Sequence, residues 1–152
     1  MKSKKTVPEL ERLAEVRMMC SRPNPLYERI DNFSIALYVL GHFEDVPDFL
    51  SLNGLDTSEA SEILKENFEE INFEDIPEGY NIRESKERYL LVIGDLVFPR
   101  HFAFVVDPNN ERPFFSKLDH IGSGYDSLVE LMENLSDEGK IGLEDVHYFR
   151  QV

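Results

Sequence analysis

The sequence runs to 152 residues, 41% hydrophobic and 30% charged, with 30 Asp or Glu against 16 Lys or Arg for a formal net charge of −14. This size and apolar content fit one domain around one core, and the acidity disfavours nucleic acid or an anionic membrane as a direct partner. Cys20 is the single cysteine, which excludes an intrachain disulfide and a thiol cluster for zinc.

The first predicted helix covers residues 8–19. Thr6 and Glu9 form a capping-box pattern and Pro8 sits in the first turn, where its missing amide hydrogen leaves no bond unmade. Leu10, Leu13, Ala14, Val16 and Met19 make its apolar side. The basic residues 1–5 lead into this acidic amphipathic stretch and not into an apolar one, so no signal peptide is expected. Nor does any apolar run approach the roughly 20 residues of a membrane span. The expected location is the cytoplasm, with no membrane partner.

Pro23 and Pro25 break the first helix. Asp31 or Asn32 then caps a second, running from Phe33 to Leu40 and stopped by Gly41. It is apolar nearly all round, so it belongs at the centre of the fold. The run from Asp56 to Glu59 opens a third helix extending to about residue 70, with Ala60, Ile63, Leu64 and Phe68 inward and Glu59, Glu62, Glu66, Glu69 and Glu70 outward. Residues 72–86 read as a long surface connection.

Beyond that point the texture turns extended. Residues 88–93 and 101–106 are rich in β-branched and aromatic side chains and read as strands. After the turn at Asp107 and Pro108, residues 112–116 return antiparallel. Residues 121–125 read as a loop, Ser127 with Glu130 caps a helix to about Leu135, and residues 145–149 form a last strand. Helices first and strands afterwards define an α+β domain spanning residues 1–152, with N-terminal helices packed on an antiparallel sheet of three or four strands.

No short motif names a reaction. Gly122 and Gly124 lack the lysine of a phosphate loop. The four histidines, His42, His101, His120 and His147, show no metal-ligand spacing, so neither a metal nor a cofactor is expected. His101 stands out because it opens an apolar strand, with its ring at the mouth of the sheet and Phe102 and Phe104 on the other face.

The buried helix over residues 31–41, followed by the strand His101-Phe102-Ala103-Phe104-Val105-Val106, resembles the papain-like superfamily, particularly its small bacterial cell-wall-amidase-like branches. The resemblance covers residues 27–150, with residues 1–26 as an N-terminal helix and connector. It implies a cysteine nucleophile at the start of the helix, often just after an Asn, and a histidine base oriented by a polar group on a following strand. Here Phe33 follows Asn32 where that cysteine would stand, and phenylalanine has no lone pair with which to attack a carbonyl. Ser34 or Cys20 is the substitute nucleophile for His101, with Ser116, Asp119 or His120 as the orienting group.

Three functions follow from these residues. The preferred one is a non-catalytic binding or regulatory protein on a papain-like scaffold, with Asn32, Phe33, Asp119 and His120 beside its groove and a basic protein as partner. The second is an amide or ester hydrolase using Cys20 or Ser34 with His101. The third is an acidic mimic of nucleic acid, its carboxylates arrayed along the third helix.

Overall fold

A computed structural model describes residues 8–20, 31–43, 54–118, 122–136 and 141–152. The described residues form four α-helices, α1 (Pro8–Cys20), α2 (Asn32–Val39), α3 (Thr57–Asn67) and α4 (Leu128–Leu135), and six strands. The strands are β1 (Phe68–Ile71), β2 (Tyr89–Gly94), β3 (Pro99–Val105), β4 (Phe114–Leu118), β5 (Gly122–Asp126) and β6 (Val146–Gln151). They make one antiparallel sheet in the order β1-β6-β2-β3-β4-β5.

The sheet is therefore wider than the three or four strands expected from sequence. Both additions come from local preference yielding to pairing. Residues 68–71 continue the helical pattern of α3, but the chain turns extended at Phe68, with φ −135° and ψ 154°, and pairs with β6 from Phe68↔Gln151 to Ile71↔Tyr148. This buries the Phe68 ring against the His42 ring, centroids 5.6 Å apart. Residues 122–126, glycine-rich and expected to loop, pair along the whole of β4 from Leu118↔Gly122 to Phe114↔Asp126. Tyr125 packs edge-on against Phe115 at 5.1 Å.

The helix ends obey local chemistry. The Asp31 carboxylate accepts the Ser34 amide at 2.7 Å and caps α2, and its other oxygen accepts the Leu55 amide at 2.8 Å, tying this cap to the chain entering α3. At the other end Gly41 adopts φ 101°, the Gly41 amide donates to Tyr38 O and the His42 amide to Leu37 O, which completes a Schellman turn. The Arg12 guanidinium of α1 donates to the carbonyls of Tyr38 and His42 at 2.5 and 2.9 Å, so α1 holds the same helix terminus. Reciprocal capping boxes open α3 (Asp56 with Glu59) and α4 (Ser127 with Glu130).

α2 is buried along its whole length, as its sequence requires, and lies across β3 and β4. The core joins Ile35, Leu37 and Val39 of α2 to Leu90, Val92, Phe102, Phe104 and Phe115 of the sheet. The connection over residues 72–88 is more than a surface link. Ile76, Tyr80 and Ile82 are buried, Tyr80 meets Tyr89 edge-on at 4.9 Å, and the Ile82 amide donates to Val106 O. Among the described residues no helix is long and apolar enough to cross a membrane.

Candidate functional site

The polar centre of the fold lies where β3 and β4 part. Their ladder pairs only Phe104↔Phe115 and Val105↔Phe114, leaving the first part of β3 without β4 as a partner. Asn32, the first residue of α2, fills that gap. Its Oδ1 accepts the Phe102 amide at 2.7 Å and its Nδ2 donates to Arg100 O at 3.4 Å. A side-chain amide carries a donor and an acceptor like a peptide group, so it can replace one rung of a missing strand.

His101 and Ser116 meet across the same gap, with Nε2 2.8 Å from the serine Oγ. The sequence offered them as base and orienting group, and the structure brings them together. Both are enclosed, His101 at 2% exposure and Ser116 at 1%. The imidazole expected at the mouth of the sheet is thus inside it.

Strand alternation fixes which side of the sheet each group occupies. The Phe33 ring of α2 meets the Phe102 ring edge-on at 4.9 Å, so Phe102 and Phe104 face the helix. His101 alternates with Phe102, and Ser116 with Phe115, which puts the pair on the opposite face. Phe33 accordingly does not confront the imidazole, as the papain-like pattern requires of its nucleophile position, and packs on the neighbouring phenylalanine instead. Ser34 is buried on α2, on the helical side of the sheet. Cys20 is the last residue of α1, with its side chain outside the described residues, as are Asp119 and His120 entirely.

The remaining histidines are apart from this pair. His42 lies at the end of α2 on Phe68, and His147 binds Glu70 at 3.1 Å on the far side of the sheet. Among the described residues no three His, Cys, Asp or Glu side chains gather as metal ligands would.

The acids are distributed unevenly. Between residues 56 and 87 the chain carries eleven acids and three bases, and every one of these side chains is exposed. The stretch comprises α3, the edge strand β1 and the connection that follows. Glu69 and Glu70 were expected on α3 with Glu59, Glu62 and Glu66, but they project from β1, where Glu69 pairs with Arg150 at 2.8 Å and Glu70 with His147. Glu87 reaches the same arginine at 3.2 Å. The row of carboxylates along one helix is therefore a broader acidic edge, something a helical spacing could not reveal because β1 was not foreseen.

Sequence reasoning also missed a cleft of about 560 Å³ between α1 and the β4–β5 hairpin, lined by Arg17, Met18, Phe115, Ser123 and Tyr125 among others. Period-two alternation of Ser123 and Tyr125 was the available signal, hidden by the glycines around it.

The described residues define an α+β protein with a six-stranded antiparallel sheet, a buried Ser–His pair and an acidic edge. No family model, no curated protein and no solved structure matches the chain.

Proposed function

We propose that this chain is a non-catalytic binding protein that engages a basic protein partner through the acidic edge of α3, β1 and the connection after it. The observation that carries the proposal is that all eleven acids between residues 56 and 87 are exposed, against three bases. A surface with an excess of one sign attracts and orients an oppositely charged partner over the Debye length, and such attraction weakens with salt. Phe33 packs on Phe102 and not on the His101 imidazole, so the start of α2 offers that base no nucleophile, which supports the absence of catalysis.

A titration tests this, with a lysine-rich peptide as probe at low and at raised ionic strength. The affinity falls at least about tenfold as salt shortens the screening length. The paired substitutions Glu62→Lys and Glu66→Lys abolish binding, while Glu133→Lys with Glu144→Lys, exposed acids elsewhere, leave most of it. Equal losses in the two double variants, or binding indifferent to salt, overturn the proposal.

One observation favours a second reading, an amide or ester hydrolase. Ser116 Oγ already lies 2.8 Å from His101 Nε2, the separation at which an imidazole can take a serine proton. With both groups enclosed, this reading needs an opening that admits substrate. A fluorophosphonate probe decides it: modification of Ser116 that is lost in His101→Ala supports a nucleophile, and an unmodified protein removes it.

A further inference from the structure

We propose that the ring pair of Phe73 and Tyr148 seats an arginine side chain of the basic partner, an inference that rests on the acidic-edge reading and names a contact within it. Phe73 is one of two phenylalanines exposed among the described residues, at 41%, and it lies inside the acidic stretch between residues 56 and 87. Exposed aromatic rings of this kind are the side chains most often used as anchors between proteins.

The chain fixes this ring locally. Directly after β1, residues Phe73–Asp75 form one 3₁₀ turn, closed by the Asp75 amide on Asn72 O at 2.9 Å and by the Asn72 amide on Asp75 Oδ2 at 2.9 Å. The Phe73 ring leans on Tyr148 of β6, with centroids 5.2 Å apart and planes at 56°, and the Tyr148 ring in turn lies 6.4 Å from that of the buried Phe114. A guanidinium is planar and more weakly hydrated than an ammonium, so it stacks on an open ring at a smaller desolvation cost.

The polar groups beside the rings are acceptors. The Asp75 carboxylate is occupied by the turn, but among the described residues neither the Glu74 carboxylate nor the Tyr148 hydroxyl has a hydrogen bond or ion pair. Burial and, after it, the Glu74 charge raise the pKa of the Tyr148 phenol, which sets that carboxylate within electrostatic reach of the ring. Arg150 is the one base on this face of β6, and it is held by Glu69 at 2.8 Å and Glu87 at 3.2 Å. It leaves Glu74 to an incoming cation.

The probes are two peptides of equal length and charge, one of lysines spaced by serines and one with its central lysine replaced by arginine. Each is titrated into the full chain at low salt while amide resonances are followed by NMR. The arginine peptide is expected to bind about two- to fivefold more tightly, the range of an exposed cation–π contact, with its additional shifts at Phe73, Glu74 and Tyr148. Phe73→Leu keeps apolar bulk without the ring and brings the arginine peptide down to the lysine level, whereas Phe98→Leu, at the other exposed phenylalanine, changes neither peptide. Glu74→Gln weakens the arginine peptide more than the lysine one. Equal affinities in wild type, or a preference for arginine that survives Phe73→Leu, overturn the inference, while salt-sensitive binding of both peptides leaves the acidic-edge reading standing. Failure of both peptides to bind overturns the two together.

Discussion

Asn32 and Phe102 are 70 residues apart in the chain and joined by a 2.7 Å hydrogen bond from the Phe102 amide to Asn32 Oδ1. The bond lies inside the protein, where β4 no longer accompanies β3. Asn32→Ala leaves that amide and Arg100 O without their partner, and a buried donor left unpaired costs about 1–3 kcal/mol. Urea unfolding should show a lower midpoint with an unchanged slope. Asn32→Asp retains the acceptor but buries a carboxylate against the Arg100 carbonyl, so near neutral pH its loss should be no smaller.

Ser116 is expected to behave as a structural partner of His101. Ser116→Ala removes the group at 2.8 Å from Nε2 in a site closed to water, which should destabilise the fold by about 1–3 kcal/mol. Ser116→Thr preserves the hydroxyl and should recover part of the loss. Equal unfolding midpoints for wild type and Ser116→Ala would show that the contact contributes little.

Stability should fall in mild acid because of His42. Burial lowers its pKa below 6.5; the Gln151 side chain opposes the shift and the Arg12 guanidinium adds to it. The unfolded chain takes up a proton near pH 6.5 and the folded chain only at lower pH, so below this point the unfolded state binds more protons. Its stabilisation is complete above the unfolded value and declines as pH drops toward the folded one. Urea midpoints measured from about pH 8 to about pH 5 should decrease for wild type more steeply than for His42→Phe, whose ring retains the stack on Phe68.

Two glycines should respond differently to alanine. Gly94 ends β2 at φ 112°, and a Cβ there would come within 2.8 Å of the Arg100 backbone nitrogen. Both the dihedral and the contact oppose a side chain, so Gly94→Ala should cost about 1–3 kcal/mol. Gly142 has φ −109°, and the three atoms nearest to a Cβ there all belong to the Glu144 side chain, which can move. Gly142→Ala should therefore stay within about 0.5 kcal/mol of wild type. Thermal melts of the two variants compare these directly.

The legible parts of this fold are those governed by near neighbours. Asp31, the apolar run after it and Gly41 announce α2, and Ser127 with Glu130 announces α4, because caps act within one turn. The alternation of His101 with Phe102 was also visible, and it separates the histidine from the helical face. What stayed hidden depends on partners distant in sequence. Phe68 becomes a strand residue because Gln151 pairs with it, and the glycines of β5 are held straight by β4. The Ser116–His101 contact was foreseen as a pair of roles, but its enclosure was not, since burial is set by everything packed around it.

The position of β6 governs when this molecule can be completed. The strand nearest the C-terminus inserts between β1 and β2, pairing with both, so neither has its neighbour until residues 146–151 exist. During synthesis β2 and β3 can zip as a hairpin, while β1 must wait for a partner about eighty residues downstream. Until then Phe68 lacks the strand that aligns it, and a ribosome stalled before this point would display an unfinished β-edge.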